Sequence, residues 1–477
     1  MTCGRSIGSV ARGSLLACLV WTAAGCGHAN DESSRVTARE EPPVHVRAMR
    51  VHRSEETARV RRAAVVEPIR RSVLGTRLMS RALDVRVVEG AHRSYMTDFI
   101  RDPDTALLKL NGKDRFTMRD SWNGVHVFGA IGSGKTSGAG RAIAGAYLRA
   151  GYGGLVLTAK PEEIDLWKSY CKEHGREADM IIFDEKRHFN FLSYIFALKG
   201  ADGANAATDT LMRILKSADL AAGQGGGKDG EAIWIKTTRE MILNAITVLY
   251  SALGTVTIES IVQFVTSMPT IAPKPEDVGK PVINYALDRL NRCKDKPVVP
   301  LPAHTLKRVR NYWLRQFIAT PEKMRGSVIA SVCAELNRFA DGILRECFTT
   351  STDIVPELVF SGSVIIMGFP SLSYHEEGTV AQGLFKLMLQ RAAESRNALA
   401  KQFQERPIFI YADESQEFIS TYDDKFLANC RSSNRGYLFL GGVSSSARAR
   451  ARAAPAPGRA GSPARWLTSS VRQPRWR

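Results

Sequence analysis

Hydrophobic and polar positions follow a legible pattern over only part of this chain, from about Leu107 to Leu440. The first clear unit is Val125-His126-Val127-Phe128, a short apolar run ended by glycine, which predicts a buried strand. Ile143, Tyr147 and Leu148 then recur at helical spacing and predict a helix over 141–150. Gly154-Leu155-Val156-Leu157 predicts a second strand. Pro161 opens a helix in which Ile164, Trp167 and Cys171 share one face, and Gly175 closes it. Met180-Ile181-Ile182-Phe183 predicts a third strand. Strand, helix, strand, helix, strand is the order of a parallel α/β sheet.

Then the period changes. From 205 to 340 the spacing is helical throughout, with helices expected over 208–218, 232–253, 258–267, 283–293, 305–319 and 322–339. Between the first two, Gly223-Gln224-Gly225-Gly226-Gly227-Lys228 reads as a connector, because it lacks the Lys-Ser/Thr ending of a phosphate-binding loop. Strand-like runs return at 363–367, 407–412 and 436–440, with helices expected at 378–396 and 422–430. The expected architecture is one α/β domain with a central, mainly parallel sheet, interrupted by an all-α insertion. Its parts are 107–204 and 326–440 for the α/β domain and 205–325 for the insertion. Outside them lie an extension over 1–44, an Arg-rich region over 45–106 and a low-complexity tail over 441–477.

Composition sharpens those outer boundaries. The 477 residues are 44% hydrophobic and 24% charged, which suits a chain with a core and excludes global disorder. Lys and Arg number 66 against 48 Asp and Glu, a formal +18 that on its face suggests a polyanionic partner. Residues 1–100 hold 16 Arg, no Lys and 10 acids, and residues 441–477 hold 8 Arg and no acid. The stretch between them carries only +4. The excess charge therefore belongs mostly to the lysine-free flanks. Ala, Arg and Pro repeat in the tail without any period, so it cannot bury a core, and a frameshift or truncation near 441 is expected.

Two further signals are quiet. The eight cysteines are scattered without a metal-ligand spacing, which predicts reduced thiols. No apolar run reaches the roughly 18 residues of a membrane span. Ser14 to Gly25, ending at Cys26, resembles a lipoprotein signal with Ala23 in place of the usual leucine. An upstream extension is the plainer reading, so a cytoplasmic chain is expected, with peripheral placement at the inner face of the inner membrane left open.

The chemistry concentrates in two segments. Gly129-Ala130-Ile131-Gly132-Ser133-Gly134-Lys135-Thr136 fits the phosphate-loop pattern at every fixed position, with a strand before it and a helix after. Glycines let backbone N–H groups wrap a β-phosphate, and the helix N-terminus favours the negative charge. Lys135 would reach the β- and γ-phosphates, and the Thr136 hydroxyl would ligate Mg²⁺. The second segment, Ile408-Phe409-Ile410-Tyr411-Ala412-Asp413-Glu414, is an apolar strand ending in paired carboxylates. Taken alone it could be a strand running into an acidic turn. Beside a phosphate loop, Asp413 becomes the acid of the Mg²⁺ shell and Glu414 the general base, with Glu417 as a rival for the latter.

Other features have structural explanations that suffice. Lys160-Pro161-Glu162-Glu163 reads as a helix start whose acids complement the dipole. Lys307, Arg308, Arg310 and Arg315, with Trp313 and Phe317, could touch a DNA backbone, but a solvated face with an apolar stripe is the favoured reading. His126 and His188 adjoin apolar runs and are expected to pack.

Taken in order, the phosphate loop, Leu155 to Glu162, Phe189-Asn190-Phe191-Leu192, Arg325 to Ala330 and Tyr411 to Glu414 resemble the TraG/TraD family of conjugative coupling proteins over about 110 to 440. The resemblance implies a RecA-like P-loop ATPase using ATP and Mg²⁺. It also implies a homo-hexamer, single-stranded DNA with its relaxase as cargo, and type IV secretion components as partners. By the same resemblance Arg431 takes the place of an arginine acting across the subunit interface, with Arg435 as the alternative register. The sequence departs from the family in two places: Thr158-Ala159 precede Lys160 where an Asp is usual, and Gly441-Gly442-Val443 stand where a sensing glutamine is expected. Two alternatives stay open, a nucleotide-binding protein without motor activity and an FtsK/HerA-like translocase of duplex DNA.

Overall fold

The computed structural model describes residues 98–110, 114–129, 134–221, 228–270, 284–399, 401–420, 422–423, 425–426 and 435–442. The signal-like segment, the Arg-rich N-terminal region, Ala130 to Ser133, the connector at 223–227, Arg431 and the low-complexity tail lie outside the described residues.

A small antiparallel pair comes first, β1 (Ala106–Lys109) with β2 (Arg115–Thr117). The main sheet contains β3 (Val125–Gly129), β4 (Gly153–Leu157), β5 (Met180–Phe183), β6 (Val364–Met367), β7 (Ile408–Ala412) and β8 (Arg435–Gly442). All of its pairings are parallel, in the order β3-β8-β7-β4-β6-β5. Strands β4, β6 and β7 are buried at every residue. That accounts for their unbroken apolar sequences, since a parallel sheet covered on both faces has no polar side to present.

Strand parity divides the core in two. On one face Val127, Val156, Ile366, Phe409 and Tyr411 pack beneath α1 (Arg141–Arg149) and α2 (Glu162–Glu173). Trp167 of α2 meets Tyr411 edge-on with ring centroids 4.8 Å apart, and stacks on Phe409 at 5.8 Å. The Phe409 ring lies so close over Gly154 that a Cβ there would sit 2.1 Å from it, which requires glycine at this point in β4. On the other face Leu155, Leu157, Ile365, Met367 and Ile410 pack against the helices that follow.

Between β5 and β6 the described chain is helical: α3 (Phe191–Lys199), α4 (Gly203–Ala221), α5 (Lys228–Leu253), α6 (Ile258–Ser267), α7 (Tyr285–Asp295), α8 (Ala303–Asn311), α9 (Glu322–Leu336) and α10 (Gly342–Thr349). Helix α3 carries no periodic signal because it is apolar nearly all round, with Phe191, Leu192, Tyr194, Ile195 and Phe196 buried. Asn190 caps it, its side chain accepting from Ser193 N at 3.0 Å. Helix α11 (Ser371–Glu394) starts seven residues before the expected position. Its first turn is broken at His375 (φ 48°, ψ −126°), so only the part from Gly378 shows a period in the sequence. No single helix among the described residues is long and apolar enough to cross a membrane.

The sheet is that of a RecA-like P-loop domain: β8 lies between β3, which leads into the glycine-rich loop, and β7, which ends in the acid pair.

Candidate functional site

In a parallel sheet every strand delivers its following loop to one edge, and ligands bind there. At this carboxyl edge β3 leads towards Gly134, whose φ of 75° is left-handed backbone that glycine adopts without penalty. A wide helical turn, Lys135–Gly140, runs into α1, and Gly138 N donates back to Gly134 O at 2.8 Å. Residues 277 positions apart then meet: Thr136 Oγ1 donates to Asp413 Oδ2 at 2.6 Å. The other carboxylate oxygen of Asp413 accepts from Glu414 N at 2.9 Å, and the side chain is buried.

Glu414 itself has φ 48° and ψ 49°, an αL conformation unusual for a non-glycine residue and a mark of local strain. Gln416 Nε2 donates to Glu414 Oε2 at 2.7 Å, so the carboxylate is oriented while remaining partly exposed. Glu417, the rival base, closes the short turn Ser415–Glu417 and is exposed. Lys135 is half-buried beside the loop. The structure thus brings Thr136 and Asp413 together, with Lys135 and Glu414 adjoining them in sequence.

One further acid belongs to this edge. Glu163, in the first turn of α2, is only 8% exposed, and its Oε2 accepts from Ala159 N at 2.8 Å. Burial pushes its carboxyl up to about 7; the Ala159 N–H opposes the rise, and the charge of Asp413 adds to it. In the core beneath, the Tyr411 hydroxyl, two residues before Asp413, is buried with no hydrogen-bond partner among the described residues. Burial first, then the charge of Asp413, drives that phenol well above its ordinary range. From sequence, Glu163 reads only as a dipole-matching acid. Its position four residues past Ala159, at the exit of a fully buried strand, is the signal that separates it from Glu162.

A hydroxyl and a carboxylate this close are hard oxygen donors able to share one small cation, and Mg²⁺ commonly takes one or two protein oxygens and fills its octahedron with water and phosphate oxygens. No cluster of three or more His, Cys, Asp or Glu able to hold a metal occurs among the described residues. The donor set therefore fits Mg²⁺ in company with phosphate rather than a closed protein cage.

The remaining expectations concern packing. His126 is partly buried, which lowers its pKa, and His188 Nδ1 lies 3.0 Å from Asp353 Oδ2. Cys171, Cys293, Cys333 and Cys347 are free thiols. The Arg-rich helix does have two faces: Val309, Tyr312, Trp313 and Phe317 are buried, while His304, Lys307, Arg308, Asn311 and Arg315 are exposed. Residues 284–323 hold nine Lys and Arg against three Asp and Glu. That local +6 exceeds the +4 carried by the whole of 101–440, so the rest of that stretch is slightly acidic.

No family model matches the sequence, and no curated protein matches it. Among solved structures, the plasmid coupling protein TrwB in complex with the non-hydrolysable GTP analogue GDPNP aligns at 14% identity and TM-score 0.41, covering 74% of this chain and 70% of that one. TrwB in complex with ADP and Mg²⁺ aligns at 14% identity and TM-score 0.40, covering 74% and 70%. The bacterial conjugative coupling protein TrwBdeltaN70, in an unbound monoclinic form, aligns at 14% and 0.41, covering 74% and 69%. A likeness at this level does not establish family membership.

Proposed function

We propose that this chain is an ATP-hydrolysing motor that moves DNA, of the kind that couples a relaxase-bound single strand to a type IV secretion channel. The observation that carries the reading is the 2.6 Å contact between Thr136 and Asp413, made across a sheet in which one strand separates their parent strands. In this reading the backbone N–H groups of Gly129 to Gly134 hold the phosphates and Lys135 neutralises their β- and γ-oxygens. Thr136 and Asp413 would hold Mg²⁺, which when bound supplies charge neutralisation at the phosphates. Glu414, oriented by Gln416, accepts the proton of the attacking water. Arg431 would complete the site of a neighbouring subunit in a hexamer, as the family resemblance implies.

The exposed basic face of the helical region supports the nucleic-acid part of the reading. From His304 to Arg315 it extends about 16 Å at 1.5 Å per residue, enough to lie along several successive phosphates, and no acid interrupts it.

Steady-state ATP turnover with and without single-stranded DNA tests the proposal. Single-stranded DNA is expected to stimulate turnover, and Lys135→Ala to lower it by about a hundredfold or more. Turnover unchanged by Lys135→Ala sinks the reading. Nucleotide binding without hydrolysis in the unaltered chain favours the non-motor alternative, and stimulation by duplex alone favours the duplex translocase.

A further inference from the structure

Helix α11 is buried along most of its length, and yet three polar side chains on it are almost wholly inaccessible: Gln382, Lys386 and Gln390, at most 1% exposed. Four residues apart, they form a single ridge. Gln382 closes the carboxyl ends of two strands. Its Oε1 accepts from Thr158 N at 2.7 Å, and its Nε2 donates to Thr158 O at 2.9 Å and to Phe369 O at 2.7 Å. One turn on, Lys386 Nζ donates to Phe418 O at 2.5 Å and to Asp423 Oδ2 at 2.7 Å. Gln390 Nε2 donates to Asp423 Oδ1 at 2.6 Å, and Ser420 N to Asp423 Oδ2 at 2.7 Å. The ridge therefore grips the stretch from Phe418 to Asp423, which begins four residues after Glu414.

A buried ion pair is a poor means of stabilising a fold, because desolvation offsets most of its attraction. What it enforces is one geometry, since Lys386, Gln390 and Ser420 N all converge on the two carboxylate oxygens of Asp423. Glu414 needs such enforcement. Its αL backbone is strained for a non-glycine residue and persists only where the surroundings dictate it.

The same stretch also touches the helical region. The Tyr422 hydroxyl bonds Glu394, and the Arg213 guanidinium of α4 lies 4.6 Å over the Tyr422 ring. From α11, Arg391 donates to Ala206 O at 3.1 Å and to Thr210 Oγ1 at 2.5 Å, both on α4.

We propose that Lys386 and Asp423 are positioning residues for Glu414, and that Tyr422 makes the turn bearing Glu414 answer to the position of α4. The inference rests on the nucleotide-hydrolysing reading for its readout. The informative variant is the full chain with Lys386→Met and Asp423→Leu together, which removes both charges and leaves neither buried alone. Nucleotide Kd is expected to stay within twofold of the unaltered chain while kcat falls about tenfold or more, and Lys386→Arg is expected to recover part of that loss. An unchanged kcat in the folded double variant overturns the positioning role, as does an equal loss in Kd and kcat. Tyr422→Leu tests the link. In the unaltered chain, ATP with Mg²⁺ is expected to change hydrogen exchange in 203–214, and in the variant that change is expected to vanish while nucleotide still binds. The same exchange response in both chains overturns the link. Absence of any turnover in the unaltered chain is a different result, and refutes the hydrolytic reading itself.

Discussion

The two edges of the main sheet are built on opposite plans. At the amino edge, Arg176 is 3% exposed and its guanidinium donates to the carbonyls of Leu148 at 2.9 Å, Tyr152 at 3.1 Å and Gly362 at 2.6 Å, while pairing with Asp179. Arg406, also buried, donates to Gly151 O at 2.6 Å. Burial, followed by the charge of Arg176, holds the Arg406 guanidinium down to about 10. The carboxyl edge gathers acidic groups instead: Asp413, the raised carboxyl of Glu163, the strained Glu414 and a neutral phenol without a partner among the described residues. At one edge cations are met by backbone carbonyls; at the other, acids gather where a cation and phosphates would complete them. Polar groups inside a protein are therefore not evidence of function by themselves.

Three substitutions test that contrast, taken from the largest expected effect. Arg176→Met leaves Asp179 buried without its partner and should lower unfolding stability by about 3–5 kcal/mol in equilibrium denaturation. A loss below about 1 kcal/mol would make the amino edge no more structural than the other. Glu163→Gln removes one charge from the carboxyl edge and keeps an acceptor for Ala159 N. The folded pKa of Glu163 is raised from 4.5 to about 7, so the folded state holds its proton more tightly than the unfolded chain. That contribution is complete below about pH 4.5 and is lost as pH rises through about 7. The variant should therefore gain on the unaltered chain across this window, by up to about 3 kcal/mol, in melting curves taken at successive pH values without Mg²⁺. A difference independent of pH would count against strain at this edge. Tyr411→Phe deletes only the unpartnered hydroxyl and should be neutral or stabilising by about 1 kcal/mol or less. A clear destabilisation would mean that the hydroxyl is satisfied after all.

The sheet was legible because its strands are unbroken apolar runs, those of β4, β6 and β7 being buried at every residue: the runs at Val125, Leu155, Met180, Val364, Ile408 and Gly436 all lie in β3 to β8. Helix α3 was not, since an element apolar all round gives no stripe. The glycine-rich loop and the acid pair stand out by residue type, whereas Glu163 is hidden behind an adequate local explanation. The ridge on α11 is the most misleading case. Polar residues at intervals of four normally mark a solvent face, and here Gln382, Lys386 and Gln390 mark an interior one. Tertiary contact decides between those meanings, and a single stretch of sequence contains none of it.

The place of β8 has a consequence for how the molecule comes to be. Strands β3 and β7 never touch; their distance is set by β8, which follows both in the chain. During synthesis, at about 5–20 residues per second, the first of the three strands exists for on the order of half a minute before the last one is made. Until β8 is in place, Thr136 and Asp413 have no framework to hold them 2.6 Å apart. Contacts of such sequence separation are slow to form and late to be rewarded. The pairing at the centre of the candidate site is thus among the last to be secured, which delays any binding of nucleotide by both halves until the sheet is whole.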